Sequence, residues 1–142
     1  MTSGLPETTR SLPIALIRAR ERVMAPIREM LRESGITEQQ WRILRVLSES
    51  GPQDASRLAE RACILLPSMT RISRSLIKKG LIERETDSKD RRRYTVSITQ
   101  NGQKIIDDNL PKATEIAAQY RARIGDDRFE ALLDLLQDIS DL

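Results

Sequence analysis

The chain has 142 residues, of which 39% are hydrophobic and 32% are charged, proportions typical of a folded soluble domain. It contains no histidine and a single cysteine, so the composition argues against an enzyme, a metal site or a bound cofactor. The first ten residues lack the features of a secretory signal, and no apolar run is long enough to span a membrane. We therefore expect a cytoplasmic protein without a disulfide.

The net charge of +3 is unevenly distributed along the chain. Residues 67–93 contain nine Lys or Arg against four Asp or Glu, a local balance of +5. A basic segment on a nearly neutral protein indicates a surface that binds anions. The alternative is a run of charges that is simply solvated.

The first predicted element is a long helix from Leu12 to Arg32, ended by Ser34 and Gly35. Its apolar residues recur at helical spacing and form a face too broad for a terminal helix to leave unpacked. Arg20 lies in the middle of this face, where a charged side chain needs a partner. Two interpretations stay open: an ion pair, with Glu21 or with a carboxylate of a second chain, or a binding site for a small organic anion.

Two shorter helices follow the first. Thr37 and Gln40 have the spacing of a capping box at the start of the second helix, and Gly51 ends that helix. Trp41 within it belongs either to the core or to the wall of a pocket. Asp54 is the expected N-cap of the third helix.

The fourth predicted helix begins at Pro67 and is ended by Gly80. Met69, Ile72, Leu76 and Ile77 are expected to face inward. This helix follows a short helix and a turn, an order typical of the recognition helix of a helix-turn-helix motif, whose arginines contact guanine in the major groove. The alternative is an ordinary amphipathic surface helix. The residues predicted to contact DNA are Pro67, Ser68, Thr70, Arg71, Arg74, Ser75 and Lys78.

Beyond Gly80 the hydrophobic period changes from helical to alternating. Leu81 to Thr86 and the segment that alternates through Ile98 are predicted to pair as a β-hairpin. A narrow basic tip can enter the minor groove of DNA, where negative potential is concentrated. Asp90 is expected to brace the guanidinium of Arg92. The cations of the tip, all predicted DNA contacts together with Asp90, are Lys89, Arg91, Arg92 and Arg93.

Two helices close the chain, the first capped by Thr99 and the second beginning at Asp126 and Asp127. The last helix carries more leucine and isoleucine, between Leu132 and Leu142, than one small lobe can cover, so we expect a homodimer. The predicted fold is mainly α with a small β-hairpin wing. Its predicted parts are an N-terminal dimerisation helix (1–36), a winged helix-turn-helix DNA-binding domain (37–99) and C-terminal dimerisation helices (100–142).

The chain resembles the MarR family of transcriptional regulators over nearly its whole length. Residues 87–92, Asp-Ser-Lys-Asp-Arg-Arg, are similar to the family's wing signature, with Lys89 where the family has arginine. Residues 98–102, Ile-Thr-Gln-Asn-Gly, resemble the step that follows the wing. Residues 37–45 and 61–68 are similar to the branch of repressors that control homoprotocatechuate (4-hydroxyphenylacetate) degradation operons.

This resemblance implies a homodimer that binds a pseudo-palindromic double-stranded operator and leaves it when a small aromatic carboxylate binds. It also implies an effector pocket between the dimerisation helices and the DNA-binding lobe. Arg20 would hold the carboxylate and Trp41 would flank the ring, with Met24, Arg45 and Cys63 nearby. Two other hypotheses remain: a redox-sensing regulator that uses Cys63, and a constitutive DNA-binding protein without a ligand.

Overall fold

The computed structural model describes residues 4–141. The structure is mostly helical with a small antiparallel sheet, which is the predicted fold class. The elements in chain order are a 3-10 turn (Thr8–Arg10), α1 (Leu12–Arg32), α2 (Glu38–Ser50), β1 (Gln53–Asp54), α3 (Ala55–Arg61), α4 (Leu66–Lys78), β2 (Ile82–Thr86), β3 (Tyr94–Ile98), α5 (Gln100–Ile124) and α6 (Asp126–Ser140). Leu142, one of the apolar residues on which the dimer prediction rests, lies outside the described residues.

Capping side chains explain where α2 and α3 begin. Thr37 Oγ1 accepts a hydrogen bond from the Gln40 backbone N–H at 3.1 Å, and Gln40 Oε1 accepts one from the Thr37 N–H at 3.0 Å. Asp54 Oδ1 accepts from the Arg57 N–H at 2.8 Å. These bonds satisfy backbone donors that the first turn of a helix leaves without partners. Both predicted caps are therefore confirmed.

Glycine ends α4 as the sequence predicts. Gly80 has a φ of +72°, a conformation that other residues adopt only with strain. It turns the chain so that the Leu81 N–H donates to the Leu76 carbonyl at 3.0 Å and the Gly80 N–H to the Ile77 carbonyl at 2.9 Å. This pair of bonds is a Schellman motif. It directs the chain from the helix straight into β2.

The inward face of α4 differs from the prediction at Ile77. The helix begins at Leu66, one residue before Pro67. Met69, Ile72 and Leu76 are buried as expected, but Ile77 is 39% exposed. Ile77 lies about 100° around the helix axis from Leu76, outside the buried stripe, whose remaining place is taken by Ser73.

The hairpin pairs as predicted, and a third strand joins it. The strand order is β1-β3-β2, with all neighbours antiparallel. Arg84 of β2 lies opposite Val96 of β3, and Gln53 of β1 lies opposite Val96 on the other edge. A two-residue strand has no alternation to detect, so β1 was not predicted. It attaches the start of α3 to the wing.

A close contact fixes the start of α5 against the end of α4. Thr99 Oγ1 accepts from the Gly102 N–H at 3.1 Å, which confirms its predicted capping role, and its hydroxyl donates to the Gly80 carbonyl at 2.7 Å. A Cβ atom added at Gly102 would lie 2.2 Å from the Leu81 carbonyl oxygen. Only glycine allows the helix to approach this backbone so closely.

The chain divides into two compact units, the first ending at Asn109 and the second beginning at Leu110. The first unit holds most of the buried apolar side chains, but α1 contributes little to them beyond Leu31. None of the described helices combines the length and the apolar character needed to cross a bilayer. The largest fully buried side chains are Leu31, Ile43, Leu44, Leu47, Leu58, Met69, Leu76, Ile82 and Val96.

The second unit consists of the rest of α5 and α6. Arg121 joins the two helices, since its Nη2 donates to Glu130 Oε1 at 2.7 Å and its guanidinium lies 4.6 Å from the centre of the Phe129 ring. The hydrogen bond from Arg121 to Glu130 raises the pKa of the arginine. Most large apolar side chains of α6 remain exposed: Leu132, Leu133, Leu135 and Ile139.

Candidate nucleic-acid interface and ligand site

The outer side of α4 is a stripe of cations. Arg71, Arg74 and Lys78 are all exposed, and their i, i+3, i+7 spacing places them along one line on the helix. This line is opposite the buried stripe of Met69 and Leu76. Of the other predicted contacts on α4, Pro67 and Thr70 are exposed, whereas Ser68 and Ser75 are half-buried.

The wing tip contains the predicted brace between Asp90 and Arg92. Asp90 Oδ1 accepts from the Arg92 backbone N–H at 3.0 Å and from its Nε at 3.2 Å, and Oδ2 accepts from Nη2 at 3.4 Å. The Arg92 side chain nevertheless remains 90% exposed. Its hydrogen bonds to Asp90 lower the pKa of that carboxyl. The carboxylate therefore directs one arginine outward and removes little of its accessibility.

The sequence analysis did not single out Arg84, a further arginine of the wing. Its guanidinium lies 3.9 Å from the centre of the Tyr94 ring, a cation–π contact. Tyr94 pairs with Thr86 across the hairpin, so Arg84 is its diagonal neighbour, within reach of a long side chain. The hairpin register, had it been worked out from the sequence, would have indicated this pair.

The wing and the start of α4 border one concave surface. A cavity of about 340 Å³ is lined by Asp54 and Ser56 at the start of α3, by Leu66 of α4 and by Arg92 and Arg93 of the wing. The cations of helix and wing thus belong to one lobe of the first unit.

Arg20 is paired with a carboxylate that the sequence analysis did not identify. Its Nη2 donates to Glu38 Oε1 at 2.9 Å, and its Nη1 lies 3.9 Å from Glu21 Oε1. The Arg20 side chain is 51% exposed, because the surrounding apolar face of α1, including Ile17, is itself open to solvent in the single chain.

Glu38 is the centre of a four-residue ion network. Arg28 Nη2 lies 3.7 Å from Glu38 Oε1, and Arg28 donates two hydrogen bonds to Glu21, at 3.1 and 3.3 Å. The hydrogen bond from Arg28 lowers the pKa of Glu21 and raises that of Arg28. Glu38 Oε2 is buried and has no hydrogen-bond partner among the described residues. This oxygen could accept a bond from a ligand donor.

The other four candidate ligand residues are distributed around α2. Trp41 is buried in the core, as the first of its two interpretations requires, and Met24 is half-buried on α1. Arg45 is exposed and donates to Glu49 at 2.6 Å. Arg45 and Cys63 line a shared cavity of about 290 Å³, whereas Arg20 belongs to the separate ion network.

Cys63 occupies an unusual position in the link between α3 and α4. Its φ of +54° is the only positive value at a non-glycine residue among those described. Arg42, which the sequence analysis did not single out, donates from Nη1 to the Cys63 carbonyl at 3.1 Å. The Cys63 thiol is exposed. Within residues 4–141 no cluster of three Cys, Asp or Glu side chains is placed to hold a metal ion.

A helix-turn-helix followed by a basic wing defines a winged-helix domain, and residues 36–94 match the MarR family model. The chain is 38% identical over 130 residues to the HTH-type transcriptional regulator FarR of Neisseria gonorrhoeae, covering 92% of this chain and 89% of that protein. It is also 38% identical over 128 residues to the homoprotocatechuate degradative operon repressor of Escherichia coli, with coverage of 90% and 86%. The chain belongs to the MarR family.

The similarity to known proteins also holds for the three-dimensional fold. The crystal structure of NadR in complex with 4-hydroxyphenylacetate superposes with a TM-score of 0.83 at 36% sequence identity, covering 100% of this chain and 98% of that one. The resemblance seen in the wing and around α2 is therefore confirmed as family membership.

Proposed function

We propose that this protein is a DNA-binding transcriptional repressor of an aromatic-acid catabolic operon, and that a small aromatic carboxylate releases it from its operator. The observation that carries the proposal is the cation stripe of α4 on the same lobe as the wing tip, where Asp90 directs Arg92 outward. Relatives that are regulators, among them a homoprotocatechuate degradative operon repressor, support it.

In this proposal α4 lies in the major groove. Arg71 and Arg74 contact guanine edges, and the small side chains of Ser68 and Thr70 permit close approach. Lys78, Lys89 and Arg91 neutralise phosphates. Arg92 enters the minor groove beside the helix, where negative potential is strongest in narrow tracts.

A homodimer completes the DNA-binding arrangement. Residues 1–36 and 100–142 supply the contacts between chains, and residues 37–99 bind DNA. The exposed apolar side chains of α1 and α6, such as Ile17 and Leu135, support this division. Two DNA-binding lobes related by a two-fold axis suit a pseudo-palindrome whose half-sites lie about 34 Å apart, one helical turn of DNA.

The effector is an aromatic carboxylate held around α2. Arg20 would take the carboxylate and Trp41, which is buried in the single chain, would flank the ring, with Met24 nearby. Arg45 and Cys63 line a different cavity in the single chain, so they would join this site only on a rearrangement that ligand binding brings about. A bound acid would compete with Glu38 for the Arg20 guanidinium. By favouring one spacing of the two lobes over another, the acid shifts the population away from the form that binds DNA.

The test is a titration of the protein on its own upstream DNA, with and without a panel of hydroxyphenylacetates. Arg92→Ala should weaken operator binding more than about ten-fold and make its salt dependence shallower, because one cation near the phosphates is gone. Arg128→Ala, an exposed arginine of α6, is the matched control and should change neither. Wild-type protein that binds operator and random DNA equally well would refute the proposal.

Arg20→Ala tests the effector part separately. The variant should still bind operator but should no longer release it when the acid is added. A melting curve checks that the variant is folded: because the pair with Glu38 is half-exposed on the arginine side, its loss should lower stability by no more than about 1 kcal/mol. A stable variant that still responds normally to the acid would remove Arg20 from the site.

A further inference from the structure

A buried glutamine connects α2 to α4 within the first unit. Gln40 is 5% exposed. Its Oε1 accepts from the Thr37 N–H at 3.0 Å and from Lys79 Nζ at 3.1 Å, and its Nε2 donates to Ser75 Oγ at 3.0 Å. The capping box accounts for only one of these bonds. The other two cross to α4.

Lys79, which follows the last residue of α4, completes the connection. Its Nζ donates to the Gly35 carbonyl at 2.8 Å as well as to Gln40. The ammonium is thus directed to the turn between α1 and α2. Both Lys79 and its neighbour Lys78 are exposed, but Lys78 has no hydrogen bond or ion pair within residues 4–141. Two adjacent lysines therefore have different surroundings.

We propose that Gln40, Ser75 and Lys79 are positioning residues that fix the orientation of α4 against the turn between α1 and α2. The proposal rests on the proposed function, in which α4 is the recognition helix. It reassigns Ser75, which lies on the DNA-binding helix, and excludes Lys79, which directly follows that helix, from the phosphate contacts.

The physical reason is that apolar packing alone leaves the helix some freedom. Burial of Met69 and Leu76 is favourable but has no directional preference, so small rotations and shifts of α4 cost little from this source. Hydrogen bonds impose both distance and angle. Three of them, from two places on α4 to one buried amide and one carbonyl, specify a single orientation. A buried amide that loses its partners is costly, so alternatives are disfavoured.

Salt dependence separates positioning from direct contact. Lys79→Gln should lower operator affinity about ten-fold and leave the log–log salt slope unchanged, because no phosphate contact is lost. Lys78→Gln is the matched control and should reduce the magnitude of that slope by about 1.8, because the homodimer loses two phosphate contacts at about 0.9 each. An equal reduction of the slope by both substitutions would overturn the proposal, since Lys79 would then hold DNA.

A double-mutant cycle tests the bond between α2 and α4. Gln40→Met removes the amide that donates to Ser75, together with the acceptor for Thr37 and Lys79. Ser75→Ala removes the hydroxyl alone. If the bond positions the helix, the double variant should lose no more operator affinity than Gln40→Met alone. Strictly additive losses would mean that Ser75 acts on DNA and not through Gln40.

Hydrogen exchange gives a readout that does not depend on DNA. Amides in the second half of α4 should exchange several-fold faster in Lys79→Gln, because that end of the helix is released. Lys78→Gln should exchange as the wild type does. Unchanged exchange in Lys79→Gln would overturn the proposal even if the protein binds its operator.

Failure of the wild type to bind DNA would refute the proposed function and leave this measurement intact. Should Lys79→Gln not fold, Ser75→Ala replaces it in the same comparison.

Discussion

The carboxylate of Glu38 determines whether the guanidinium of Arg20 is free to bind another anion. Its charge holds the Arg20 guanidinium at 2.9 Å and lies 3.7 Å from Arg28. A neutral side chain of the same size in place of Glu38 should leave the Arg20 guanidinium free to bind another anion. The ion pair is half-exposed on the arginine side, so its loss should change stability by no more than about 1 kcal/mol.

Glu38→Gln should therefore tighten effector binding. Calorimetric titration with 4-hydroxyphenylacetate measures this, and thermal unfolding monitors stability. Glu29→Gln provides the control, because Glu29 also pairs with an arginine of α1, Arg32, at 3.3 Å. Equal effector affinity in wild type, Glu38→Gln and Glu29→Gln would show that the guanidinium of Arg20 does not hold the acid.

The brace at the wing tip has a definite dependence on pH. The hydrogen bonds from Arg92 lower the pKa of Asp90 below its usual value of 3.8. A carboxyl with a lowered pKa contributes its stabilisation above the unfolded value and loses it as pH falls through the lowered folded value. The tip should consequently keep its conformation throughout neutral and mildly acidic pH.

Arg92→Ala should raise the pKa of Asp90 toward its ordinary value, which an NMR titration of the side-chain carboxyl measures directly. Arg91→Ala is the comparison, since Arg91 is not among the groups that lower this pKa. An Asp90 pKa that stays low in Arg92→Ala would mean that the brace is not the cause.

At the level of elements, the contact between α5 and the end of α4 predicts the sign of one substitution. Gly102→Ala would improve helix propensity by about 1 kcal/mol in an isolated helix. Here the added methyl meets the Leu81 carbonyl oxygen at 2.2 Å, and overpacking of this kind costs about 1–3 kcal/mol. Denaturant unfolding should show a net loss of stability.

Asn101→Ala is the control for Gly102→Ala. Asn101 precedes the glycine on α5 but is exposed, so its replacement should leave stability nearly unchanged or raise it slightly. If Gly102→Ala is as stable as this control, the two segments must move apart at little cost, and the contact does not fix them.

Local signals explain why most element boundaries could be predicted. Thr37, Asp54 and Gly80 determine caps through hydrogen bonds or dihedral angles within a few residues of themselves, and these are visible in the sequence. The brace between Asp90 and Arg92 is equally local. By contrast, β1 exists only because Gln53 pairs with Val96 of a distant strand.

The parts of the site that were missed depend on contacts between distant residues. Arg20 and Glu38 are 18 residues apart, and Lys79 lies 44 residues from Gly35. Their pairing requires the relative orientation of whole helices, which no spacing in the sequence specifies.

For the whole molecule, the exposed apolar side chains of α6 predict self-association. A dimer should form at micromolar concentration, because its interface would cover residues such as Leu132 and Ile139, which are each 41% exposed in the single chain. Leu132→Glu should shift the equilibrium toward monomer in sedimentation. Gln137→Glu introduces the same charge on the same helix, about 140° around its axis from Leu132, and should remain dimeric. A wild-type protein that sediments as a folded monomer would contradict the prediction.

The wing tip has a property that bears on how such proteins diverge. The hydrogen bonds that the structure shows for residues 87–93 all close within that segment: Asp87 with Lys89 and Arg93, and Asp90 with Arg92 and Arg93. A tip that holds its own shape can change in sequence without compensating changes elsewhere in the chain. After gene duplication, substitutions in this segment can therefore change the operator preference while the rest of the fold stays the same. For the same reason, the segment can be exchanged between proteins to change the DNA sequence that is bound.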